Sequence, residues 1–174
     1  MGSLDLVAFL LPSLLSAHAG GPAVSERLEP VFALQVRARN AMAVEALTEA
    51  GRRAAERLAE PGCARVFSDF KDASGRTLQQ RLDDLGTSGA GHLQAIYFYD
   101  GAHRRACQRR RTLAVTEPGS YVVHVCPQFV SKQRQDPDQA PVTIIHELLH
   151  TLGLGENPPS SEEITRHVRA RCGR

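Results

Sequence analysis

The sequence predicts an α+β fold: a small mixed or antiparallel sheet with a long N-terminal helix, a buried helix and a short C-terminal helix. Three observations carry this. Apolar residues recur in steps of three or four along residues 24–58, two short alternating segments flank Glu117-Pro118-Gly119, and residues 138–154 are apolar around most of a helical circumference.

In chain order, residues 6–15 (LVAFLLPSLL) form an apolar run too short to span a bilayer, and Ala17-His18-Ala19 follows as an A-x-A cleavage pattern. Residues 1–19 thus read as a signal peptide or an N-terminal apolar segment, and residues 20–174 as a single domain. A signal peptide would make the protein secreted or periplasmic. The opening MGSLD argues the other way, since it has no Lys or Arg and contains Asp5. The alternative is a short amphipathic helix packed on the domain.

The first long helix is expected along Val24, Leu28, Val31, Leu34, Ala38, Ala41, Val44, Leu47, Gly51, Ala54 and Leu58, with Pro30 suited to its first turn and Glu60-Pro61-Gly62 ending it. Residues 63–70 (CARVFSDF) alternate as a strand does, and residues 77–85 have helical spacing through Leu78, Leu82 and Leu85. After a loop at 86–91, residues 92–99 (HLQAIYFY) are the best strand by β-branched and aromatic content, closed by Asp100-Gly101. Residues 112–116 and 120–126 read as a hairpin, and the polar stretch 128–139 ends in a turn at Asp136-Pro137-Asp138. The buried helix follows over 138–154, with Pro141 in its first turn and Gly153 and Gly155 at its end, and the last helix spans 161–171.

Twenty-one Lys and Arg against nineteen Asp and Glu leave a net charge of +2, too small a balance to attract nucleic acid or an anionic membrane. Arg104, Arg105, Arg109, Arg110 and Arg111 cluster in the loop before the hairpin, without interleaved aromatics. They read as a solvated loop or a contact for an acidic substrate rather than a nucleic-acid site. The four cysteines contain no CxxC pair, which removes support for a zinc ribbon or a redox dithiol. Two disulfides are the simplest reading, against four buried thiols. Of the three pairings, Cys107 with Cys126 is favoured because these two flank the hairpin, leaving Cys63 for Cys172.

Within the buried helix the chain places His146, Glu147 and His150, whose burial costs on the order of 1 to 3 kcal/mol each without partners. His146 and His150 stand at i and i+4, one turn apart on one face, close enough to ligate one ion. Glu147 lies about 100° further round, placed to reach a water at the metal without ligating it. In this HExxH arrangement zinc lowers the pKa of water towards roughly 7 and the glutamate takes the proton. Gly153, free to adopt φ > 0, can end the helix and turn the chain back so that Glu156 completes a three-ligand site. His18, His92 and His103 lack metal-ligand spacing.

His146-Glu147-x-x-His150-x-x-Gly153-x-x-Glu156 resembles the zincin metallopeptidases, and in particular the extended metzincin motif HExxHxxGxxH/D with glutamate in the third-ligand position. It departs from metzincins in having no methionine turn, since Met1 and Met42 lie far upstream. Gluzincins take a glutamate ligand from a later helix, and here that helix offers Glu162 and Glu163. Ser160-Ser161-Glu162-Glu163 is also a capping box, which gives Glu163 a local role that Glu156 lacks. Glu156 is therefore the favoured third ligand and Glu163 the runner-up.

The resemblance implies one zincin-like domain over 20–174 and a Zn2+-dependent endopeptidase, with Glu147 as general base and His146, His150 and Glu156 as metal ligands. It also implies a peptide or protein substrate pairing with an edge strand, either 120–126 or the strand before it. Tyr121, His124, Arg166 and His167 are the candidates for stabilising the oxyanion. A monomer is expected, without nucleic acid or stable membrane insertion. The rival readings are a non-catalytic zinc-binding domain with a structural site and a zinc hydrolase of non-peptide amides.

Overall fold

The computed structural model describes residues 32–173, so the expectations for residues 1–19 and for the start of the first helix at Val24 or Pro30 lie outside the described residues. The architecture is α+β. Strand β1 (Gln35–Arg37) is followed by helix α1 (Ala41–Leu58), α2 (Pro61–Ala64), α3 (Val66–Asp69), α4 (Leu78–Asp84), α5 (Gly89–Gln94) and β2 (Tyr97–Asp100). A short 3-10 turn at Arg105–Gln108 precedes β3 (Ala114–Thr116), β4 (Val122–Val125), α6 (Gln128–Gln135), α7 (Gln139–Thr151) and α8 (Ser161–Cys172).

The first long helix is shorter than its apolar stripe. Asn40 opens α1 by accepting hydrogen bonds from the backbone N–H groups of Met42 and Ala43, and the chain just before it is extended as β1. Leu34 nevertheless belongs to the same apolar cluster, seated over Gly51, where its side chain leaves no room for a Cβ. The apolar step across Asn40 is therefore a tertiary contact rather than a continuous helix.

Residues 63–70, expected as a strand, are helical in α2 and α3. Pro61 starts the first turn, and the buried residues Cys63, Val66 and Phe67 follow i, i+3, i+4 spacing rather than alternation. The strand expected at 92–99 is likewise divided: Ser88 caps α5 through Gly91 N–H at 3.1 Å, and only residues from Tyr97 onward are extended. Part of the loop expected at 86–91 and of the polar stretch 128–139 is also helical, as α5 and α6. The turn at 136–138 precedes α7 as expected.

The sheet has the order β1-β2-β4-β3, with β1, β2 and β4 parallel and β3 antiparallel to β4. The hairpin at 112–126 is present, and Gly119 turns it at φ +80°. Because β4 is hydrogen-bonded on both sides, residues 120–126 are interior to the sheet, and among the described residues its two edges are β1 and β3. The inner face presents Phe98, Val123 and Val125 to the core, whereas Tyr97 and Tyr99 on β2 remain exposed. Every residue of α7 is buried, as expected of a helix apolar on most sides; it packs on α1, α6, α8 and β3. Two disulfides, Cys63–Cys172 and Cys107–Cys126, join the expected partners. No helix among the described residues is long and apolar enough to cross a membrane.

Candidate active site

Helix α7 ends where Leu154 N–H donates to the carbonyl of Leu149 at 3.1 Å and Gly153 N–H to that of His150 at 2.9 Å. Gly153 makes this ending possible with φ +107°, a conformation that L side chains rarely adopt. The turn of the hairpin is tied to the same place, since Gly119 N–H donates to the His150 carbonyl at 2.8 Å. Glu156 follows three residues after Gly153 and returns to the histidines.

His150 Nδ1–H donates to the Leu154 carbonyl at 2.7 Å, which leaves the Nε2 lone pair free. His146 Nδ1 shares a hydrogen bond with Thr165 Oγ1 on α8 at 3.0 Å. The two Nε2 atoms then face each other at 3.1 Å, and Glu156 Oε1 lies 3.4 Å from that of His150 and 3.7 Å from that of His146. Ligands about 2.0 to 2.1 Å from a tetrahedral ion stand about 3.3 Å apart, so the three observed separations match three corners of such a site. Burial, reinforced by the neighbouring His150, pulls the pKa of His146 down to about 3, so its ring is the neutral imidazole that a metal requires.

Glu147 lines the same site with hydrogen-bonding capacity unspent. Its Oε2 is buried without a hydrogen-bond partner, and burial together with the nearby Glu156 charge pushes its pKa up to about 8. A divalent cation, if held by the histidines, would act in the opposite direction and favour the carboxylate. The orphaned oxygen and the facing imidazole nitrogens therefore both suit a metal ion and a water beside it.

The site opens into a cleft of about 880 Å³ between β3, α7 and α8. Glu163 is turned away from it into the α8 cap, where Oε2 accepts from both the N–H and the hydroxyl of Ser160 at 2.8 Å. Of the four oxyanion candidates only Arg166 lines the cleft. Tyr121 stands edge-on to His92, His124 accepts from Arg104, and His167 is paired with Asp69 at 2.7 Å. His92 is a buried core residue bonded to Thr151 at 3.0 Å.

A family model described as lysine-specific metallo-endopeptidase, the aspzincin family, matches residues 55–157. The chain belongs to this family. No curated protein and no solved structure matches it. Membership makes the protein a zincin-type metallopeptidase, in agreement with the resemblance carried by the HExxH segment, and makes peptides its substrates and a metal its cofactor. It removes the grounds for a non-catalytic domain.

Sequence reasoning did not find Thr165. The residue meets His146 only because α8 runs back along α7, bringing Gln139 to Arg169 at one end and His146 to Thr165 further along. Spacing along the chain carries no sign of such a contact.

Proposed function

We propose that the protein is a zinc-dependent endopeptidase acting through one domain over 20–174, with His146, His150 and Glu156 as zinc ligands and Glu147 as general base. The observation that carries this reading is the convergence of one ligand atom from each of the three residues, all within 4.8 Å, beside the unpartnered buried carboxyl of Glu147. When bound, zinc supplies Lewis acidity that polarises the scissile carbonyl and lowers the pKa of water. Glu147 takes the proton from the attacking water and passes it to the leaving amine. Thr165 and the Leu154 carbonyl hold the two imidazoles in the tautomer that leaves Nε2 available. Edge strand β3 lies along the cleft, where its free side can pair with an extended substrate. Two disulfides in a chain of this size support an oxidising, extracellular or periplasmic setting.

Elemental analysis of the purified protein is expected to find about one zinc per chain. Glu156→Gln should weaken zinc binding, whereas Glu163→Gln should leave it in place and cost about 1 kcal/mol of helix-cap stability. Zinc lost in Glu163→Gln and kept in Glu156→Gln would move the third ligand to α8. Thr165→Val, measured by competition with a chelator, should lower zinc affinity about tenfold or more. Affinity unchanged in that variant would leave Thr165 without a role in orienting His146.

A further inference from the structure

The cleft is charged unevenly. On α8, Glu162, Arg166 and Arg169 stand at i, i+4 and i+7, so they share the face that lines it. Arg169 donates to Gln139, which places its guanidinium at the N-terminal end of α7, away from Glu156. Across the cleft, the hairpin turn is pinned to His150 through Gly119, so the other end of β3, with Arg109 and Arg111 before it, reaches towards the same N-terminal end of α7. Among the described residues none of Arg109, Arg111 and Arg166 is in an ion pair within 4.0 Å. Four arginines thus line the cleft beyond the metal site, and Glu162 is the one carboxylate in the lining apart from Glu147 and Glu156.

We propose that the cleft takes acidic peptides and holds an Asp or Glu side chain between the loop arginines and those of α8, disfavouring lysine there. This rests on the peptidase reading above and gives it a substrate class, one that differs from the lysine preference in the family's description. Gln139 precedes His146 by seven residues, about 10 Å of helix, which an extended peptide covers in about three residues. The bound carboxylate is therefore placed about three residues from the scissile bond.

The test uses the zinc-loaded full chain carrying Glu147→Gln and fluorescein-labelled decapeptides with Glu, Gln or Lys three residues to either side of the central bond. By fluorescence anisotropy the Glu peptide should bind about tenfold more tightly than the Lys peptide, and 0.5 M salt should compress the difference to about twofold. Adding Arg109→Glu and Arg111→Glu should reverse the order, while Arg109→Lys with Arg111→Lys should preserve it. Both positions are exposed in a loop, and a melting curve checks that the reversed variant is folded. Equal binding of the three peptides, or tighter binding of Lys, overturns the acidic cleft even if the reversed variant fails to fold. Cleavage of the same peptides by the parent protein is read separately. No cleavage of any peptide or of an unfolded protein overturns the peptidase reading, whereas cleavage with a lysine preference overturns only the acidic cleft.

Discussion

Glu147→Gln is expected to lower kcat/KM for a cleaved peptide by about 10²- to 10⁴-fold while zinc content and fold stay as they are. The amide keeps the size and shape of the side chain but cannot take a proton from water. Its effect on stability should be small or favourable, because Glu147 is a buried carboxyl whose Oε2 has no partner in the protein and whose ionisation burial opposes. Loss of activity through unfolding is thereby separated from loss of a base. His146→Ala differs from it in kind, since that change should remove the metal along with activity. Steady-state kinetics, elemental analysis and thermal melting on the same samples make the comparison. More than a tenth of parental activity in Glu147→Gln would overturn the assignment of Glu147 as base.

How much of this site the sequence discloses depends on whether a feature is local. His146, Glu147, His150, Gly153 and Glu156 fall within eleven residues, and helix periodicity followed by one turn at positive φ is enough to bring them together. The capping role of Glu163 is equally local, one turn from Ser160. The cystine between Cys107 and Cys126 follows from the hairpin beside it. What cannot be read this way depends on distant pairing. Beta-strand β3 becomes an edge only because β4 pairs in parallel with β2, far back in the chain, and Thr165 reaches His146 only through the packing of α8 on α7. The strand expected at 63–70 fails for a further reason. A short apolar run supports strand and helix patterns alike, and here Pro61, two residues before it, and the contact with α8 favour helical turns.

Removing the Cys63–Cys172 bridge should be the largest single loss of stability. In the chain-entropy account a cross-link stabilises by restricting the unfolded chain, and the benefit grows with the loop it closes. Cys63 and Cys172 are separated by 109 residues, which corresponds to about 4 to 5 kcal/mol, whereas the separation of 19 between Cys107 and Cys126 corresponds to about 3 kcal/mol. Against a total of roughly 5 to 15 kcal/mol for an ordinary domain, the first loss brings the protein close to unfolding. The consequence should also reach the metal. The bridge joins α2 to the last turn of α8, the helix that carries Thr165 against His146, and beyond it α8 is held by buried Ile164 and Val168 and by Asp69 with His167 and Arg171. Cys63→Ala with Cys172→Ala is therefore expected to lower both the urea midpoint and zinc affinity, while Cys107→Ala with Cys126→Ala lowers the midpoint less. Urea titrations with and without excess zinc distinguish the two effects, since a ligand that binds the folded state alone raises the midpoint by an amount that grows with the logarithm of its remaining affinity. A loss under about 1 kcal/mol in the first pair would show that core packing, rather than the cross-link, holds α8 in place.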